Sequence, residues 1–219
     1  MKIAISPIPA PATIMSALFL SVALTISSAA QEPGATYDEQ ALLETGELGD
    51  KIQGEDTAPV TIIEYASMTC PHCASFHKNS YPKIKQTYID TGKARLIFRE
   101  FPLDRLAAVT SMVARCVEED RFFPFLDILF AQQKSWAREN PLEPLKKLAK
   151  QAGLSNEAFD KCMSNQELWD GIIEIKDRGS SEFDVSGTPS FFVNGEFVSA
   201  GQAQDFDEFS QIIEKHLGE

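Results

Sequence analysis

Positive charge is scarce in this chain. Its 219 residues hold 20 Lys and Arg against 32 Asp and Glu, a net charge of −12. That balance argues against nucleic acid and anionic membrane as partners, because both attract basic surfaces. Long hydrophobic runs are lacking as well. Ile14 to Ile26, apolar apart from Ser and Thr, is thirteen residues long, short of the ~20 that a membrane-spanning helix needs. Internal repeats and low-complexity tracts are absent, which excludes a repeat array. Cysteine is confined to Cys70, Cys73, Cys116 and Cys162.

What is present suits one domain carrying an insertion, with 43% hydrophobic residues to fill a core. Lys2 is the only charge in the first thirty residues, and Ser28-Ala29-Ala30 offers small side chains for cleavage. This pattern predicts a signal peptide over residues 1–30, with an uncleaved anchor as the alternative. An exported chain meets an oxidising compartment, where four cysteines suggest two pairs.

Gln31 to Asp50 is polar, with a flexible start and a short helix around Ala41-Leu42-Leu43. It leaves no room for a dimerisation domain, so a monomer is expected. Leu48 to Gln53 reads as a first strand. Val60 to Tyr65 is β-branched and mostly apolar, as a buried central strand should be. Glu64 is its odd member: a carboxyl there must find a partner, stay protonated or point to solvent. A helix starts at Pro71, a residue suited to the first helical position, and Pro82 should kink or split it. Ala94 to Phe101 alternates as a strand, which completes a parallel βαβ unit.

Pro102 to Asn165 has no convincing strand. Helices are expected through Leu106–Val117, Phe122–Gln132, Pro141–Lys150 and from Ser155, with Leu154 and Phe159 placed as a hydrophobic staple. A long helix follows over Gln166–Phe183. Asn194-Gly195 between two β-rich runs marks a hairpin, and Asp205 begins a last helix with Glu208 as capping partner. The predicted fold is α/β: a mixed sheet flanked by helices and interrupted by a helical insert.

Cys70-Pro71-His72-Cys73 follows a strand and opens a helix. A thiolate there meets free backbone N–H groups and the positive end of the helix dipole, which lowers its pKa. Cys70 should lie at the exposed end, with Cys73 buried one turn inside. An imidazole at His72 can support the Cys70 thiolate, which stabilises the reduced form and makes the disulfide a better oxidant. Cys70, Cys73 and His77 also have ligand-like spacing, with His72 and Met68 near. A copper- or zinc-handling module on Cys70, His72 and Cys73 is therefore the alternative of another class. Cys116 and Cys162 are 43 residues or more from the motif and cannot readily complete it, so His77 is placed on the helix surface or facing a loop. Cys116 and Cys162 lie on apolar helix faces. They are either free buried thiols or a structural bridge closing a 47-residue loop, worth roughly 4 kcal/mol. Thr188-Pro189 opens the hairpin, and its isomer is left open.

At Glu64-Tyr65-Ala66-Ser67, Cys70-Pro71-His72-Cys73 and Gly187-Thr188-Pro189, with the helical insert between them, the chain resembles the DsbA family of thiol:disulfide oxidoreductases. The resemblance covers about Leu48 to Leu217 and implies a thioredoxin-like fold with a first part at 48–101, a helical insert at 102–165 and a second part at 166–219, preceded by the expected signal peptide at 1–30 and an N-terminal segment at 31–47. It implies that Cys70 is the nucleophile forming the mixed disulfide and that Cys73 is the resolving thiol. Thr188 and a cis-Pro189 would face Cys70 and pair with the substrate backbone, and Glu64 would be a buried acid relaying protons for Cys73. The second cysteine pair resembles an α-proteobacterial subset with an extra disulfide. The implied activity is oxidation of reduced exported proteins, with reoxidation by a DsbB-like quinone-linked membrane enzyme and no cofactor or metal. Thr188 departs from the Val of well-known strong oxidases, which makes isomerase or reductase the alternative within the class.

Overall fold

The computed structural model describes residues 32–202 and 204–218. Residues 1–30, where a signal peptide is expected, lie outside them. Five strands form one mixed sheet in the order β1-β3-β2-β4-β5: β1 is Lys51–Gln53, β2 Val60–Ala66, β3 Ala94–Glu100, β4 Ser190–Val193 and β5 Glu196–Ala200. β2 runs parallel to β3, whereas β1, β4 and β5 join antiparallel.

Every residue of β2 is buried, because both faces of the sheet are covered. Val60, Ile62 and Ala66 join Leu96, Phe98, Phe191 and Val193 in the larger core. Ile63 and Tyr65 face the other way, toward Ile97, Phe101, Phe183 and Phe192. α1 (Glu39–Leu43) contributes buried Leu42 to that second layer. The residues before α1 are not free. Gly34 N donates to Phe197 O and Tyr37 N to Gly195 O, both at 2.8 Å, so the segment expected to be flexible lies along the β5 edge.

The βαβ crossover runs through α2 (Pro71–Asn79), α3 (Tyr81–Ile84) and a π-turn over Lys85–Ile89. The helix splits at Ser80, and Pro82 falls in the first turn of the next piece, where its missing N–H costs no bond. The insert comprises α4 (Arg105–Arg115), α5 (Phe122–Ala131), α6 (Gln133–Trp136), α7 (Leu142–Gln151) and α8 (Asn156–Met163). Asp104 caps α4 and Ser155 caps α8, each accepting a backbone N–H three residues on. Insert residues Phe122, Phe125, Leu129 and Trp136 belong to the same core as the sheet residues above. The insert therefore folds onto the sheet and shares its core.

α9 (Gln166–Glu182) returns the chain to the second face. Gly179 lets it approach, since a Cβ there would lie 2.8 Å from the Tyr65 ring. α10 (Phe206–Leu217) closes the first face, capped by Asp205. The first strand is shorter than Leu48–Gln53. Arg115 donates to the carbonyls of Leu48 and Gly49, and Gly49 has φ +67°. The carbonyls that a longer strand would use in its ladder are occupied by a guanidinium.

Candidate active site

The site forms where the end of β2 hands over to α2. Ala66 closes the strand, Ser67 to Thr69 make the turn, and Cys70 is the residue before the first helical one. Its backbone is extended, with φ −74° and ψ 123°, so its sulfur stands over the open first turn of α2. Pro71 and His72 are solvent-exposed, and Cys73 is fully buried one turn in. Cys70 itself is only 5% exposed, contrary to the expectation of an open thiol. The cover comes from the far end of the chain: Cys70 Sγ lies 3.2 Å from the Thr188 carbonyl, and the Thr188-Pro189 bond is cis. The fold thus brings two segments more than a hundred residues apart into contact at one sulfur.

Both cysteines are free thiols, and their environments differ sharply. A hydrogen bond from the Cys73 thiol, more than anything else, holds the Cys70 pKa down to about 5 against the opposing effect of burial. The backbone N–H groups of Cys73 and His72 act in the same direction. Burial pushes Cys73 well up, and its bond to Cys70 and the charge of Glu64 add to this. His72 contributes through its backbone N–H, whereas its side chain projects outward.

Glu64 is fully buried, so it does not point to solvent. Its two oxygens lie 3.2 and 3.0 Å from His77 Nε2. His77 is itself buried, which corrects its placement on the helix surface or toward a loop. It stands four residues after Cys73 on the inward face of α2. Its ring stacks on Phe130 with centroids 4.3 Å apart and an interplanar angle of 22°. Its other nitrogen faces Asp127 of α5 at 3.8 Å. With both nitrogens directed at carboxylates, His77 is not arranged as a third donor beside the cysteines. Among the described residues no group of three or more His, Cys, Asp or Glu could hold a metal ion.

Three supports escaped sequence reasoning. Gln133 of α6 is buried and donates to the carbonyls of Met68 and Cys70 at 2.8 and 2.9 Å. Thr69 donates to Asp104 at 2.6 Å, and Ser67 Oγ accepts from Leu103 N at 3.3 Å. These bonds tie the active-site turn to the insert. A single Gln in a helical stretch carries no signal of such a role; only its burial reveals it. Cys116 and Cys162, by contrast, are joined in a disulfide with a Cα–Cα distance of 6.3 Å, the bridged form of the two alternatives.

Comparison with known proteins agrees with this arrangement. A family model described as thioredoxin matches residues 47–215. A putative protein-disulfide oxidoreductase of Rickettsia bellii is 35% identical over 148 residues, covering 67% of this chain and 57% of that protein. This chain thus spans less than two thirds of that relative's length. Disulfide bond formation protein D of Bacillus subtilis is 27% identical, covering 77% of this chain and 78% of that protein. The crystal structure of alpha-DsbA1 from Wolbachia pipientis superposes with a TM-score of 0.75 at 32% identity, over 83% of this chain and 96% of that one.

Proposed function

The chain belongs to the thioredoxin family, in its DsbA-like branch, and from that premise we propose that it is a thiol:disulfide oxidoreductase that introduces disulfides into exported proteins. One observation carries this reading: the opposed environments of Cys70 and Cys73. A thiolate held at Cys70 stabilises the reduced protein, and a stabilised reduced form makes the disulfide an oxidant.

The exchange runs in two steps. A client thiolate attacks Cys70 Sγ of the Cys70–Cys73 disulfide. The bond between the cysteines breaks, a client–Cys70 disulfide forms, and Cys73 departs with the electron pair. Burial then drives Cys73 to take up a proton. A second client thiolate attacks the client sulfur of the mixed disulfide, the client disulfide closes, and Cys70 leaves as its favoured thiolate. The client is oxidised, the protein pair is reduced, and the client's second proton goes to solvent.

Thr188 and cis-Pro189, lying against Cys70, are the place for an extended client backbone to pair. Pro71 and His72 form the exposed rim that a client meets first. The Cys116–Cys162 bridge and the leader-like residues 1–30 support export to the periplasm. There a DsbB-like quinone-linked membrane oxidase would restore the disulfide. No helix among the described residues is long and apolar enough to cross a membrane.

The test is the equilibrium of the Cys70–Cys73 pair with glutathione, read by thiol trapping, alongside oxidative refolding of a reduced client. The expected result is a disulfide readily reduced by glutathione and client oxidation that disappears in Cys70→Ser. A strongly reducing potential would exclude net oxidation. Thr188 before Pro189 supports a second reading, disulfide isomerase or reductase. Rescue of a scrambled client without net oxidation would select it.

A further inference from the structure

Glu64 has an improbable position for a carboxyl. Its partners across the sheet are Phe98 on β3 and Phe191 on β4, so an aromatic ring flanks it on either side of the same sheet face. A carboxyl in that setting either takes up a proton or finds a cation. The group facing it is His77, whose Nε2 lies within hydrogen-bond distance of both oxygens.

The surroundings of His77 favour its cationic form. Its ring lies against Phe130 and is bordered by Tyr81 and Phe98. Its Nδ1 is buried without a hydrogen-bond partner, yet Asp127, with a half-exposed side chain, stands 3.8 Å away. A buried carboxyl on one nitrogen and a surface carboxylate toward the other both reward a proton on each nitrogen. Burial alone would remove that proton, but the charges of Glu64 and Asp127 carry the His77 pKa up to about 9. The other titratable neighbours do not compete. Tyr81 is held neutral by burial, Cys73 is pushed well up, and β3 and β4 present only Phe98 and Phe191 beside Glu64.

We propose that His77 is a positioning residue that keeps Glu64 ionised near Cys73, with Asp127 holding His77 in its cationic form. Glu64 then acts on Cys73 as a fixed charge and not as a proton shuttle. This refines the expectation that Glu64 relays protons, and it rests on the oxidoreductase reading above. A constant negative charge disfavours a thiolate at Cys73, so the proton stays on Cys73 after the first exchange across the neutral range.

The test uses the reduced protein without client. Ring NMR signals of His77, assigned by comparison with His77→Gln, should show an imidazolium from pH 5 to 8. In Asp127→Asn its loss of the proton should move down by about one pH unit, the effect of removing a nearby opposite charge. Infrared difference spectra, with Glu64→Gln as the subtractor, should show no protonated-carboxyl band from Glu64 in the wild-type protein at neutral pH. That band should appear in His77→Gln. A neutral His77 at pH 7, or a protonated Glu64 in the wild-type protein, would overturn the proposal. Should His77→Gln not fold, the wild-type protein and Asp127→Asn still decide it, with Glu64→Gln as the reference. These readouts need no client, so they can fail while client oxidation succeeds, and the reverse.

Discussion

Cys70 and Cys73 are three residues apart in sequence and meet opposite chemistry. Cys70 accepts a hydrogen bond from the Cys73 thiol and sits over open helical N–H groups, so its pKa is lowered to about 5, whereas Cys73 is enclosed and its pKa raised. Alkylation of the reduced protein should therefore rise with pH to half its maximum at about 5 and label Cys70 alone, as mass spectrometry can read. A lowered thiol pKa stabilises the folded reduced protein fully above the ordinary thiol range. That contribution shrinks as pH falls and is lost below about 5. Denaturation of the reduced and oxidised forms at pH 7 and pH 4 should show the advantage of the reduced form narrowing in acid. The Cys-x-x-Cys spacing announces the pair because a helix start acts on its first residue locally. The partnership of Glu64 with His77 is not announced, since residues thirteen apart meet only when α2 lies on β2.

At the scale of elements, most segments follow from pattern. β2, β3, the β4–β5 hairpin and α9 lie where periodicity and the Asn194-Gly195 turn put them. α6 does not, because four residues show no period. It nevertheless bears on the site through Gln133, which gives one amide to two carbonyls of the active-site turn. Gln133→Ala should lower stability by about 1–3 kcal/mol, the cost of leaving buried acceptors without a donor, as read by denaturant unfolding of the reduced protein. β1 shows the reverse influence. Its sequence allows a longer strand, but Arg115 from α4 takes the carbonyls of Leu48 and Gly49.

At the scale of the molecule, the insert and the sheet domain are joined by polar bonds as well as by core. Arg115 reaches from α4 to Glu100 at the end of β3 at 2.6 and 2.8 Å, and both side chains are buried. The Cys116–Cys162 bridge spans 46 residues between the ends of α4 and α8. Replacing both cysteines by Ala should cost about 4 kcal/mol from loop entropy. Thermal unfolding would read that loss, and the pH profile of Cys70 alkylation should stay where it is. A changed profile would mean that the bridge also shapes the active site.

The sequence by itself determined the elements, the order of the crossover, the hairpin and the place of the Cys70–Cys73 pair at a helix start. These depend on side-chain period, turn chemistry and the local field of a helix start, all of which act over a few residues. Tertiary structure alone decided how completely Cys70 is enclosed, which group answers Glu64 and what anchors the turn before Cys70. His77 and Gln133 have ordinary local signals. Their roles arise from burial, where each polar group must be matched by whatever distant group the fold brings within reach.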